Sequence, residues 1–321
     1  MRVFYLGNFL PDSSTETHIA KTMEKEGIEV VRLQENFTDS NHLAERLRME
    51  DYDLFLFTRT WGETLKNEHL DIIRQRNRPS VSWHLDLYVG LQRDGNIDHD
   101  PFWRTSHVFT PDGDPESAKV FENKGINHHY LKPGVFEDEC NLFNLNKSKE
   151  VIFVGSYNYH PEWTYRQTLI DWLKNRYGNS FEHWGSEGLG AVRGEALNRL
   201  YGESKVVIGD SLVLPGHINY WSDRVYETLG RGGFIIHPRI PGLELSFVED
   251  KEIVFYDLGD FKQLAEKIDY YRTHDAEREI IRQAGHQRVL AEHTYRHRLY
   301  EVLDTTGLSR DQNKNPETGS V

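Results

Sequence analysis

Short runs of apolar, β-branched or aromatic residues alternate along the chain with longer amphipathic stretches, the pattern of βα units on a parallel sheet. In the first half the strand-like runs are residues 2–6, 29–33, 54–58, 80–84, 107–110 and 128–131. Helical stretches fall between most of them. Residues 18–26 carry Ile19, Ala20 and Met23 on one face and end at Gly27, a residue that stops helices well. Residues 142–150 are polar and lysine-bearing, without apolar periodicity, and read as a linker. The alternation then restarts with strands expected at 151–154, 181–184, 206–209, 234–237 and 253–256, separated by helices at 164–176, 193–202, 222–230 and 260–273. Residues 276–303 read as one or two helices rich in arginine and histidine, and the polar tail 309–321 as disordered.

This pattern predicts an α/β chain of two Rossmann-like, doubly wound domains. Residues 1–141 form the first, 142–150 the linker and 151–290 the second, with 291–308 a C-terminal helix able to pack back on the first. A length of 321 residues accommodates two such cores. Two doubly wound halves place a crevice between their sheets, where ligands bind outside the carboxyl ends of the strands.

Composition narrows the functional classes. No run approaches the roughly 18 apolar residues of a membrane span, and the first strand is not preceded by the basic and apolar regions of a secretory signal, so a cytoplasmic protein is expected. Cys140 is the one cysteine and has no disulfide partner. A formal charge of -13 opposes generic binding to nucleic acid or anionic membranes, while leaving room for a local basic patch.

The most informative segment runs from Trp221 to His237: an N-cap candidate at Ser222 or Asp223, two helical turns, glycines at 230, 232 and 233, and a buried strand. A helix start of this kind offers N–H groups to a phosphate, and Glu227 one turn further can accept from both hydroxyls of a ribose. An ordinary βαβ unit with an exposed Glu fits the same spacing.

Asp223-Arg224-Val225-Tyr226-Glu227, followed by Leu229-Gly230 and Gly232-Gly233, resembles the conserved block of the CgeB/spore-protein-like group of GT-B glycosyltransferases. The likeness continues in Pro241-Gly242-Leu243, in Phe255-Tyr256-Asp257 with the helix after it, and in His293-Thr294-Tyr295 with Arg298, in order and spacing. It covers about residues 151–300. It implies a glycosyltransferase in which Glu227 binds the donor ribose and Arg224 or the nearby helix terminus the diphosphate, with Tyr226 in the same block. Gly155, Ser156, His160 and Arg166 would flank the donor from the other side. Retaining relatives carry a second Glu eight residues before the ribose Glu; here that place is Asn219, so the sugar contact would fall to the loop holding His217 and Asn219.

In the first half, the loop from Gly7 to His18 lies between the first strand and helix, with Ser and Thr in place of paired glycines. His84 and Asp86 follow a strand at its carboxyl end, and a His beside a carboxylate suits a catalytic base with its orienter. A histidine that merely caps its strand is the alternative, and Glu16 and His18 come next as base candidates. Asp112 and Asp114, within Pro-Asp-Gly-Asp-Pro, read as a turn rather than a metal pair. His293 and His297 lack a third ligand for zinc. The expected reaction is metal-independent, with no cofactor beyond the nucleotide diphosphate sugar. The acceptor is left open among small molecule, glycan, protein and a hydroxymethylated base of phage DNA, and a non-catalytic nucleotide-binding scaffold is the remaining alternative.

Overall fold

The computed structural model describes residues 1–58 and 64–308; the expected disordered tail at 309–321 lies outside the described residues. Six parallel strands form the first sheet: β1 (Arg2–Gly7), β2 (Glu29–Gln34), β3 (Leu54–Phe57), β4 (Ser80–Trp83), β5 (His107–Thr110) and β6 (His128–Tyr130), in the order β2-β1-β3-β4-β5-β6. Five more, β7 (Lys149–Val154), β8 (Phe181–Trp184), β9 (Ser204–Ile208), β10 (Ile235–Pro238) and β11 (Val254–Tyr256), form a second parallel sheet ordered β11-β10-β9-β7-β8.

Ten helices cover the sheets among the described residues. The first half contributes α1 (Thr15–Lys25), α2 (Ser40–Met49), α3 (Asn67–Gln75) and α4 (Pro115–Asn123). The second contributes α5 (Tyr165–Tyr177), α6 (Gly194–Glu203), α7 (Arg224–Gly230), α8 (Phe261–Tyr271), α9 (Asp275–Glu292) and α10 (Tyr295–Thr305).

The strands are apolar on both faces because each sheet is buried on both sides. Phe4, Leu6, Phe55 and Phe57 point into one layer, while Val3, Tyr5, Leu54 and Leu56 point into the other. The second sheet repeats this, with Val151 and Phe153 on one side and Ile152 and Val154 on the other. The last helix crosses back: Tyr295, Leu299, Val302 and Leu303 of α10 join the core of the first half.

Two of the boundaries that differ from the sequence reading have local causes, and the division of the C-terminal helices has one as well. Helix α1 begins before residue 18 because the Ser14 hydroxyl accepts the Thr17 N–H at 3.1 Å and caps it. Strand β7 starts inside the expected linker, where Lys149 pairs with Ser204 in the ladder and its ammonium bonds Glu182 at 2.8 Å. The C-terminal helical region divides at His293–Thr294, where the Val135 N–H bonds the His293 carbonyl at 3.2 Å and the Tyr295 N–H bonds Val135 at 2.9 Å.

In each sheet the strand order reverses beside the first strand. Strand β1 lies between β2 and β3, and β7 between β8 and β9. The carboxyl ends of β1 and β7 are therefore the switch points at which an open α/β sheet leaves a crevice.

Candidate active site

The loop after β1 and the start of α7 face each other across a cavity of about 150 Å³. Ser13, Thr15 and His18 line it from the first half, and Asp223, Arg224, Glu227 and Arg231 from α7 and the turn after it. Glu227 and Arg231 are four residues apart and so share one helical face; their side chains approach to 3.5 Å. Arg193, exposed at the start of α6, and Glu139 complete the charged part of the wall.

Arg224 is anchored at the switch point of the second sheet, its Nη1 donating to the Val154 carbonyl at 2.5 Å. Burial works against its charge, but Glu227, Tyr201 and Asp223 outweigh that and hold it firmly cationic. Its Nε is buried without a hydrogen-bond acceptor among the described residues, whereas the Arg231 Nε faces Glu227 and its other nitrogens bond Asn198 and Glu139. The unspent Arg224 donor suits an anionic ligand, since an unpaired buried donor costs about 1–3 kcal/mol. The backbone closes tightly behind it. A Cβ on Gly185 would lie 2.1 Å from the Gly155 carbonyl oxygen, so only glycine lets β8 and the Gly155 turn meet.

His18 stacks on Phe136 at 4.5 Å, with its Nε2 3.8 Å from Glu139. Burial holds its pKa below the usual histidine value despite Glu139, and Arg231 adds to the depression, so it faces the cavity as neutral imidazole. Asp223 is an exposed residue on the cavity wall; the protein packed around it desolvates its carboxylate and, with Glu227, raises it above the ordinary Asp range, Arg224 opposing.

A second, smaller recess of about 10 Å³ opens beside the first, lined by Trp83, His84, Leu85, Pro111, Leu131 and Pro133. The two cavities share Thr15, Gly134, Asp223 and Tyr295 in their walls.

The expected His84–Asp86 couple is divided between two surroundings. The His84 ring stands edge-on to Tyr88 at 5.6 Å and to Phe102 at 5.8 Å, in an aromatic cluster behind the recess. Asp86 turns to the other half of the chain. It accepts from Tyr220, from Tyr159 at 3.4 Å and from the Leu87 N–H at 2.9 Å, with His160 Nε2 at 3.0 Å. Asp86 therefore bridges the halves, with His160, Tyr159 and Tyr220 as its partners across the joint.

The other expected donor residues scatter in an instructive way. Gly155, Ser156, Arg224 and Glu227 converge on the switch point and the cavity beside it. Arg166 does not reach the cavity: it is 1 % exposed, its Nε bonds Asp210 at 2.7 Å, and its guanidinium lies 4.0 Å from the Tyr159 ring centroid. Tyr226 is in the core, accepting the Trp221 indole N–H at 2.8 Å and packing on His293 at 4.8 Å. Asn219 is a joint between the halves, its amide donating to the Gly113 carbonyl at 3.1 Å and its own carbonyl accepting from Tyr130 at 2.7 Å. His217 sits nearby, 3.7 Å from Asp114.

Asp112 and Asp114 are occupied by the backbone. Asp112 accepts the Tyr88 and Val89 N–H groups at 3.0 and 2.8 Å, and Asp114 caps α4 through the Glu116 and Ser117 N–H groups at 3.0 and 2.9 Å. The sequence reading missed Arg193, Glu139 and Arg231 in the cavity wall. Only Arg231 left a signal, its four-residue spacing from Glu227; Glu139 arrives from a segment with no periodicity.

Residues 166–304 match the glycosyl transferase-like family. No curated protein matches the chain in sequence. Solved structures match almost its whole length. An alpha-glucosyltransferase in complex with UDP and a 13-mer DNA superposes with a TM-score of 0.67 at 10% identity, over 96% of this chain and 99% of that one. Anabaena HepE in complex with UDP-glucose gives 0.63 at 12%, over 96% and 99%. A glycosyltransferase from Rickettsia africae gives 0.59 at 13%, over 95% and 97%. The chain has the GT-B fold of these glycosyltransferases, and its likeness to the glycosyl transferase-like family lies in the second half. Among the described residues, no helix is long and apolar enough to cross a membrane.

Proposed function

We propose that the protein transfers a sugar from a nucleotide diphosphate sugar, bound in the cavity between the β1–α1 loop and α7, to a hydroxyl of an acceptor held against the first half. The observation that carries this is the convergence of Arg224, Glu227 and Arg231 on that cavity, within the family-matched segment and beside the switch point of its sheet. Glu227 is assigned to the donor ribose. Arg224 and Arg231, with Arg193 at the rim, neutralise the leaving diphosphate, a task that guanidinium groups perform without a metal ion. Relatives with UDP or UDP-glucose bound make a uridine nucleotide the first donor to try. The narrower likeness to the CgeB/spore-protein-like group rests on the Asp223–Glu227 block. A cytoplasmic setting suits a nucleotide-sugar donor.

The acceptor is uncharged or cationic. Residues 1–141 contain 16 Lys and Arg against 25 Asp and Glu, a field that repels polyanions. The reading with modified DNA as acceptor is supported by the DNA complex of one relative, and it requires affinity for duplex DNA that falls steeply with salt.

The test is a thermal-shift screen of UDP-, GDP-, dTDP- and ADP-hexoses on the full chain, because a ligand bound to the native state raises its melting temperature by mass action. Hydrolysis of the best donor to free nucleotide, before and after EDTA treatment, then reads turnover and metal dependence. A donor that binds without being hydrolysed favours a nucleotide-binding scaffold. Complete loss of turnover in EDTA, restored by manganese, overturns metal independence.

A further inference from the structure

The two cavities meet at one carboxylate. The larger is walled by arginines and acids, and the smaller, with room for about one water molecule, by Trp83, Leu85, Pro111, Leu131 and Pro133. Of the described residues common to both walls, Gly134 has no side chain and Thr15 is an alcohol. Tyr295 keeps its proton, since burial first and Asp223 second hold its phenol far above the usual range. That leaves Asp223, an exposed residue that lines both cavities next to Arg224 and accepts the Ser222 hydroxyl at 3.1 Å.

We propose that Asp223 is the catalytic base: its carboxylate takes the proton of the acceptor hydroxyl as that oxygen bonds the anomeric carbon and the carbon–oxygen bond to the diphosphate breaks. The electron pair of the broken bond leaves with the diphosphate, toward Arg224 and Arg231, and the products are the glycosylated acceptor, the nucleoside diphosphate and a protonated Asp223. This rests on the transfer reading above. The electrostatics favour the sequence of events. A carboxylate beside a diphosphate repels it, and protonation in the same step removes one of the two charges as the other grows. Burial and Glu227 already raise Asp223, which makes it a better proton acceptor than an ordinary aspartate. His84 borders the smaller recess and not the larger cavity.

The experiment compares wild type with Asp223→Asn, Asp223→Glu and Asp223→Gly, using hydrolysis of the donor that gave the largest thermal shift, with water as acceptor. Asp223→Asn should lower the hydrolysis rate on the order of 100-fold or more. Its affinity for UDP should stay level or tighten and its melting temperature should not fall. The wild-type rate should decline as pH falls and the carboxylate gains its proton, and that decline should be absent in Asp223→Asn. Sodium formate should restore part of the rate to Asp223→Gly by standing in for the lost carboxylate. Asp223→Asn that keeps more than about a third of the rate, or keeps the acid limb, overturns the base while leaving the transfer reading in place. A wild-type chain that neither binds nor hydrolyses any of the nucleotide sugars overturns the transfer reading and the base with it.

Discussion

The halves of the chain meet along two stretches that use the same kinds of polar side chain. In one, Asp86 from the first half is enclosed by Tyr159, His160 and Tyr220, and Leu87 and Leu91 pack beside it on Trp163 and Leu212. Donors and acceptors are matched and apolar contact fills the gaps. In the other, Asp223, Arg224, Glu227 and Arg231 face Ser13, Thr15 and His18 across open space, and the Arg224 Nε has no hydrogen-bond acceptor among the described residues. The difference teaches how to separate binding residues from structural ones when both are charged and both lie between domains. Matched partners with no room between them hold the halves together; unmatched donors beside a cavity wait for a ligand.

The buried pair behind the first stretch gives the largest expected effect. Asp210→Ala strands the Arg166 guanidinium in the interior, where it is 1 % exposed. Removing one partner of a buried ion pair costs about 3–5 kcal/mol, to be read as a lower urea midpoint. An unchanged midpoint would show that Arg166 is reached from solvent and would return it to the donor site. The effect on the open side is next. Glu227→Ala and Arg224→Ala each remove a charge-assisted hydrogen bond worth about 1.5–3 kcal/mol, so nucleotide affinity should fall about 10- to 100-fold in calorimetry with the urea midpoint nearly unmoved. If stability falls and affinity does not, the open wall is structural and the comparison fails.

Asp86→Ala comes third. It leaves Tyr159, His160 and Tyr220 without their shared carboxylate acceptor, for an expected loss of about 1–2 kcal/mol in stability. Nucleotide affinity should be unchanged. A 100-fold loss of turnover with stability intact would instead restore Asp86 to the catalytic role first read from its place beside His84.

Most of the fold was legible and part of the site was not, for one physical reason. Periodicity records burial, so the eleven strands stood out along the chain: Phe4 and Leu6 against Val3 and Tyr5 announce a sheet covered on both sides. A motif records chemical type, and it picked out Arg224 and Glu227, which the fold places in the cavity wall. It could not tell Arg224, with an idle Nε, from Arg166, neutralised by an aspartate 44 residues away in sequence. Nor could it tell Asn219 at a domain joint from a sugar contact, because the partner of Asn219 is the carbonyl of Gly113 in the other half. Pairings across such distances leave no local trace.

The smallest effect concerns a carboxylate beside the first stretch, and its sign depends on pH. Asp112 is buried, and burial raises its pKa to about 6 although Thr110, Val89 and Tyr88 hydrogen bonds oppose the shift. A carboxyl group whose folded value lies above its unfolded value contributes most stability below the unfolded value, here near 3.8, and loses that contribution as pH rises through about 6. Asp112→Asn keeps an oxygen for the Tyr88 and Val89 N–H groups and carries no charge at any pH. It makes only neutral hydrogen bonds, which are weaker than those of a carboxylate, so part of the gain from removing the buried charge is offset. The variant should match wild type near pH 4 and exceed it by about 1 kcal/mol at pH 7 and above, with the difference opening between those values. Urea midpoints across that range measure it. A variant less stable than wild type at pH 7 would mean that the charged carboxylate is required by its two backbone donors, and that this part of the joint is held by charge rather than by fit.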